Sequence, residues 1–152
     1  MKLVDVTHRL GDPELLEVLS DSVGFPTPKK LARVAEVYAT TSSRNAFALM
    51  DGVEVVGVIG LEVLSPGRGR IIHIAVTPSR RQQGVGRMLI DRASRLGGLR
   101  ELSAETDGDA VEFYRRCGFT IERLPDRQWN RVRFLCRASI PDIDEDGPSW
   151  TE

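Results

Sequence analysis

Residues 74–90, IAVTPSRRQQGVGRMLI, begin as an apolar strand-like run, break at Thr77-Pro78 into a basic turn holding Gly84 and Gly86, and resume with helical spacing. In the resumed stretch Val85, Met88, Leu89, Ala93 and Leu96 share one face and Arg87, Asp91 and Arg95 the other, which predicts a helix anchored on a sheet. The first N–H groups of a helix lack intrahelical acceptors and sit at the positive end of its dipole, so the joint is a candidate anion site. Gly84 and Gly86 carry no Cβ where a ligand would approach the backbone, and Arg80 and Arg81 are expected to add positive charge to the same mouth. A surface turn whose glycines merely end the strand is the plainer alternative. Two known phosphate loops do not fit. A Walker loop needs Gly-Lys-Ser/Thr, but Arg87 and Met88 follow Gly86, and a dinucleotide fingerprint needs a small residue where Leu89 stands.

The rest of the chain frames this joint. With 152 residues, 41% of them hydrophobic, one domain with a real core is expected over residues 1–140. No apolar run reaches the roughly 18 residues of a membrane helix, and MKLVDVTHRL lacks the layout of a secretory signal, so a cytoplasmic protein with no membrane partner is expected. Cys117 and Cys136 have neither the number nor the spacing of a disulfide framework or a zinc site; both read as reduced, mostly buried thiols, and no metal is expected. The last twelve residues, PDIDEDGPSWTE, hold five acids and no base, which predicts a mobile acidic tail over 141–152. That leaves 21 basic against 17 acidic residues over 1–140, a balance suited to a small anionic ligand rather than to a DNA duplex.

Periodicity gives an alternating plan. A strand is expected over KLVDVTH, then helices over DPELLEVLSDS, capped by Asp12, and TPKKLARVAEVYAT, started by Thr27 and Pro28. Strands AFALM and VEVVGVIGLEVL joined at Asp51-Gly52, and RIIHIAV after a Ser-Pro-Gly loop, make a meander. After the joint and its helix come the break Gly97-Gly98, the strand LRELSAET, the helix DAVEFYRRC stopped by Gly118, and the strands FTIERL and RVRFLCRAS. The result is a mixed α/β domain whose second half reads β-α-β-α-β-β.

Two stretches carry a resemblance. Arg81-Gln-Gln-Gly84-Val-Gly86, after the strand end IAV, resembles the acetyl-CoA signature Arg/Gln-x-x-Gly-x-Gly/Ala of the GCN5-related N-acetyltransferases (GNAT family). DAVEFYRRCGF, residues 109–119, is similar to that family's later helix and strand, with its Phe-Tyr pair and closing Gly-Phe. The similarity in layout extends over roughly residues 1–140. It implies the acyl-CoA N-acyltransferase fold, a mixed and mostly antiparallel sheet with flanking helices, and direct transfer of an acetyl group from acetyl-CoA to a primary amine of a small molecule or peptide.

The resemblance also assigns residues. The backbone N–H groups of Arg81, Gln82, Gln83, Gly84, Val85, Gly86 and Arg87 would bind the pyrophosphate, with the side chains of Gln82 and Gln83 mattering less than their amides. Ile74, Ala75 and Val76 would pair with the pantetheine arm in a cleft where their strand splays from LRELSAET; an exposed strand edge is a natural receptor for an amide-bearing arm. Phe113 belongs to the same cofactor wall, and Asp107 occupies the place of an asparagine that contacts the arm in relatives. Aspartate accepts but cannot donate, so Asp107 or Asp109 is alternatively a helix cap, with Glu112 completing a capping box behind Asp109.

Tyr114 matches the family's general acid, although Ala110, Phe113, Tyr114 and Cys117 also fall on the stripe of a buried helix face. For the base, Glu105 at a strand end beside the cleft is the candidate carboxylate, its alternative being an ordinary solvated acid. His73 has a fitting ordinary pKa, but strand alternation points it opposite to Ile72 and Ile74, which favours a structural role. Leu102 stands where bacterial ribosomal-protein alanine acetyltransferases place their base, which argues against that branch; His8 and Glu62 receive no role. Acceptor specificity is expected from the loop SDSVGFPTPKK and the hairpin LPDRQWNRVRF, where Arg127, Trp129 and Arg131 meet an acceptor or simply form a turn. The final strand alternates Val132, Phe134 and Cys136 with arginines and leaves a homodimer open. The readings that compete with catalysis are a noncatalytic CoA sensor and a nucleotide- or RNA-binding module built on the arginines of 80–95.

Overall fold

The computed structural model describes residues 1–125 and 132–141. Its elements follow the order β1 (Lys2–Asp5), α1 (Pro13–Leu19), α2 (Pro28–Thr40), β2 (Arg44–Asp51), β3 (Glu54–Ser65), β4 (Arg68–Val76), α3 (Val85–Leu96), β5 (Glu101–Asp107), α4 (Val111–Arg116), β6 (Thr120–Arg123) and β7 (Arg133–Ser139). The strands form one sheet in the order β1-β2-β3-β4-β5-β7-β6, antiparallel except between β4 and β5. This is the mixed, mostly antiparallel sheet with flanking helices that the resemblance implied. The residues beyond Pro141 and the segment bearing Arg127, Trp129 and Arg131 lie outside the described residues.

Alternation along the strands divides the core in two. Phe47, Leu49, Val56 and Ile59 pack with Val85, Met88 and Leu89 of α3 and Tyr114 of α4. Ala46, Ala48, Val58 and Ala75 face Leu15, Leu19, Ala35 and Tyr38 of α1 and α2. Large side chains thus serve one face and small ones the other, where α1 and α2 come close to the backbone.

Local chemistry explains most boundaries. Thr27 caps α2 by accepting the Lys30 N–H at 3.1 Å, with Pro28 in the first turn. Asp12 holds the corresponding position before α1, but its carboxylate accepts from Arg9 Nε at 3.3 Å and caps no helical N–H, a correction to the expected cap. On α3, Leu96 is 65% exposed and Asp91 is buried, accepting from Arg95 Nε at 2.7 Å, so the expected faces are wrong at these two positions. The ion pair is what lets an aspartate sit inside the apolar face.

Two irregularities shape the centre of the sheet. The β4–β5 pairing covers only Arg68–Arg70 against Glu101–Ser103, after which the two parallel strands part. Between β3 and β4 the register slips: Gly60 pairs with His73 and Leu61 with Ile71, leaving Ile72 as an extra residue on β4. Ile72 packs into the α1–α2 cluster, where His73 also meets Tyr38, whereas Ile74 packs against the α3 cluster. The bulge therefore overturns the expectation that His73 points opposite to both Ile72 and Ile74. It shares a face with Ile72.

Candidate functional site

Where β4 and β5 part, a cleft of ≈ 1530 Å³ opens, lined by β4, the turn after it, the end of β5, α4 and the α1–α2 loop. Of the fourteen positions singled out in the sequence, Ile74, Ala75, Val76, Arg81, Gln82, Gly84, Val85, Gly86, Arg87, Glu105, Asp107, Phe113 and Tyr114 line it and only Gln83 does not. The Gln83 amide turns away to donate to the Ser79 carbonyl at 3.3 Å.

The turn between β4 and α3 is built from unusual backbone. Gln82 has φ +62 and Gly84 φ +79, both left-handed, and the first α3 bond runs from Met88 N–H to the Gly84 carbonyl at 3.0 Å. The N–H groups of Val85 and Gly86 thus start the helix ahead of its own hydrogen-bond ladder, at the cleft mouth. Paired left-handed and ordinary residues of this kind form concavities that suit an anion.

The two glycines turn out to differ. A Cβ on Gly84 would touch nothing within 4 Å, so this glycine serves the left-handed φ and leaves the mouth open. A Cβ on Gly86 would lie 2.5 Å from the Phe113 ring. Gly86 therefore gives room to the Phe113 ring of α4 at the cleft wall, a packing role that the sequence expectation did not include.

Charge at the mouth also differs from expectation. Arg80 donates to Asp51 at 2.7 Å and Glu54 at 2.9 Å, on the β2–β3 hairpin. Arg81 donates through Nε to the Val76 carbonyl at 3.1 Å and through Nη2 to Asp21 at 2.8 Å. Their charges are matched by carboxylates, so neither adds uncompensated positive charge. Arg81 instead ties the end of β4 to the α1–α2 loop, which sequence spacing could not reveal because sixty residues separate the partners. Arg87 reaches across to the Arg116 carbonyl at the end of α4.

On the opposite wall, Tyr114 is 6% exposed, edge-to-face with Phe113 (5.1 Å) and Phe119 (5.3 Å). Burial pushes its hydroxyl pKa well above the ordinary 10.0, with Cys136 and Cys117 adding to the effect, so it stays protonated at neutral pH. The Tyr114 hydroxyl has no hydrogen-bond partner among the described residues. The expected buried helix face thus holds for this side chain, and the residue also lines the cleft.

Glu105 is solvent-exposed at the cleft edge, with Arg133 Nε 3.8 Å from its carboxylate. Asp107 accepts the Asp109 and Ala110 N–H groups at 3.1 and 3.2 Å, closing the turn before α4. Helix α4 begins at Val111 with Ala110 at its cap position, so the expected box of Asp109 and Glu112 does not form. Asp107 does the ordering instead.

His73 lines the cleft as well, its Nδ1 2.6 Å from the Tyr38 hydroxyl. Tyr38 and the exposed, left-handed Phe25 (φ 50) of the α1–α2 loop were not anticipated. One signal was available: Gly60 lies inside a strand, and a Cβ there would collide with the Tyr38 ring and hydroxyl.

Residues 42–121 match the family model described as an acetyltransferase (GNAT) domain. The chain belongs to the GNAT family. An uncharacterized N-acetyltransferase encoded in the lysA 3' region of Bacillus methanolicus is 34% identical over 62 residues, 41% of this chain and 52% of that protein. The match thus spans about half the length of that curated relative. Among solved structures, a GNAT-family protein from Desulfovibrio desulfuricans superposes with TM-score 0.73 at 22% identity, covering 92% of this chain and 99% of that one. An aminoglycoside 6'-N-acetyltransferase complexed with coenzyme A gives TM-score 0.70 at 21% identity, covering 95% and 100%. An acetyltransferase from Thermus thermophilus gives 0.71 at 22%, covering 91% and 96%. These likenesses extend the GNAT fold over nearly the whole chain.

Proposed function

We propose that this GNAT protein is an acetyl-CoA-dependent N-acetyltransferase acting by direct transfer to a primary amine of a small molecule or peptide. The observation that carries the reading is one cleft joining three parts. These are the left-handed turn at the start of α3, the β5-facing edge of β4, left without a strand partner among the described residues beyond Arg70, and Tyr114 on the facing wall. The turn N–H groups suit a pyrophosphate, the strand edge suits an amide-bearing arm, and Phe113 lies beside the turn against Gly86. Coenzyme A in the aminoglycoside 6'-N-acetyltransferase complex supports the same choice of co-substrate. The pairing of Arg80, Arg81 and Arg95 with carboxylates weighs against an RNA-binding surface on this stretch.

In this reading an amine of ordinary pKa about 10.4 enters protonated and must lose a proton before attack. Glu105 takes that proton, directly or through water. The nitrogen lone pair forms the new C–N bond at the thioester carbonyl carbon, the nitrogen gives up its second proton to solvent as the C–S bond breaks, and the departing sulfur receives a hydrogen bond from Tyr114. Because burial makes Tyr114 more reluctant than a thiol to part with its proton, its hydroxyl donates without first ionising, and full proton return to sulfur is coupled to solvent.

A thermal melt with CoA, acetyl-CoA, ATP or NAD at equal millimolar concentration tests the binding half. Ligand at a hundred times its Kd adds about 2.7 kcal/mol of stability, a rise of several degrees for a chain of this size. A rise with CoA and acetyl-CoA alone is expected; no rise with either removes the proposal. Tyr114→Phe then tests the acid. It should lower kcat by on the order of a hundredfold while leaving the CoA-induced shift and the melting point nearly intact. An unchanged kcat would remove Tyr114 from the chemistry.

A further inference from the structure

His73 lies where the proposed acyl end of the co-substrate belongs. If the anion sits at the start of α3 and the arm runs back along the β4 edge from Val76 to Ile74, the arm ends level with His73. This placement rests on the acetyltransferase reading. The side chain lies on the α1–α2 face of the sheet, put there by the bulge at Ile72, and lines the cleft.

The partner of His73 fixes what the ring can do. Tyr38 is 1% exposed, its ring and hydroxyl seated over Gly60, where a Cβ would collide. Its single hydrogen bond among the described residues is to His73 Nδ1, at 2.6 Å. A buried phenol must place its own hydrogen on an acceptor, and Nδ1 is the acceptor within reach. Were Nδ1 protonated, the Tyr38 hydrogen would be left inside the α1–α2 core with no partner. Tyr38 therefore donates, and the proton of the neutral imidazole is confined to Nε2. Nε2 has no hydrogen bond among the described residues and is not sealed from solvent. The surroundings keep the ring neutral: burial and the Arg44 guanidinium of β2 lower its pKa to about 4, and the Glu62 carboxylate on β3 is taken up by Arg44 and Arg70.

We propose that His73 acts as a fixed hydrogen-bond donor in the cleft, its Nε2–H oriented by Tyr38 toward an oxygen of the bound reactants, and that it does not serve as the base. A ring with Nδ1 occupied by a donor and Nε2 already protonated has no lone pair to offer an incoming ammonium. Tyr38 is the positioning residue.

The tautomer can be read directly, without turnover. The chain has two histidines, so in His8→Gln protein carrying 15N-histidine one imidazole remains. At pH 7 its Nε2 should be protonated and its Nδ1 not, and Tyr38→Phe should give a mixture of tautomers. An Nδ1-protonated ring, or an imidazolium at pH 7, would overturn the proposal whatever the activity. In turnover, His73→Gln supplies an amide donor and should stay within about threefold of the parent with the acid limb of its pH–rate profile unmoved, whereas His73→Ala should lose about tenfold. Loss confined to kcat places the oxygen on the acyl group, and loss in the KM of the amine places it on the acceptor. Abolished turnover in His73→Gln together with loss of the acid limb would mean a base and sink the idea. If the parent shows neither CoA binding nor turnover, the acetyltransferase reading has failed, while the 15N result still decides the tautomer.

Discussion

Burial, with the Arg44 charge adding to it, pushes the His73 imidazole from its ordinary 6.5 down to about 4. Between those values the unfolded chain holds a proton that the folded chain refuses, so stability rises with pH through the window and is lost on acidification. By pH 5 the loss from this one group is roughly 2 kcal/mol. The Glu62 carboxyl, held below its ordinary 4.5 by Arg44 and Arg70, contributes stability that is lost as pH falls below that ordinary value, so it overlaps only the acid end of the window and changes little between pH 7.5 and 5.0. Melting points at pH 7.5 and 5.0 should therefore differ clearly in the parent and much less in His73→Gln; an equal difference in both would show that His73 is not the group responsible. At this scale the sequence was legible where helical spacing placed a residue in the core, as for Tyr114, and misleading where geometry intervened. Alternation assigned His73 the wrong relation to Ile72 because one extra residue on β4 reverses parity, and no local propensity marks the bulge. Tyr38 was illegible for a different reason: its role depends on a hydrogen bond across thirty-five residues.

The helix α3 and the turn before it were readable as an element, because strand end, glycines and amphipathic spacing agree with one another. Their division of labour was not readable, since two glycines in one motif look alike until the space around each is known. Gly84 sits at φ +79 with open space beside it, and Gly86 has ordinary helical backbone with Phe113 against it. Gly84→Ala should cost about 1–2 kcal/mol from left-handed strain alone, independent of any change at Phe113. Gly86→Ala forces the ring aside and should cost more, and shortening the ring with Phe113→Leu should recover part of that loss. In a double-mutant cycle by urea denaturation, Gly86 and Phe113 should couple by about 1 kcal/mol or more, while Gly84 and Phe113 should be additive. Additivity in both pairs would mean that Gly86 is not held by α4. The arginines illustrate the same limit. Arg80 and Arg81 read as a basic mouth, but the hairpin carboxylates of Asp51 and Glu54 and the distant Asp21 claim them once the chain is folded.

Over the whole molecule, the sheet is two unequal parts joined by a short seam. The run β1-β2-β3-β4 pairs as neighbours in sequence, which alternation and turns could anticipate. The insertion of β7 between β5 and β6 could not be foreseen, since a strand's pattern says that it has partners without saying which. β5 pairs with β7 over Glu101–Asp107, but with β4 over Glu101–Ser103 alone, so the second part leans on the first through the α3–α4 core and three residues of ladder. A ligand arm laid along the open β4 edge adds hydrogen bonds where the ladder stops and contacts both walls. CoA should therefore slow amide hydrogen exchange at residues 74–76 and 84–87 by direct contact. It should also slow exchange in β5 and α4, because opening the seam exposes the cleft and bound ligand opposes every opening that releases it. Protection limited to 84–87 would describe an anion resting on the helix start with no arm in the cleft, and the site would then hold a nucleotide phosphate without presenting an acyl group to Tyr114. Protection across both parts of the sheet would make the seam the feature through which co-substrate binding stiffens the fold.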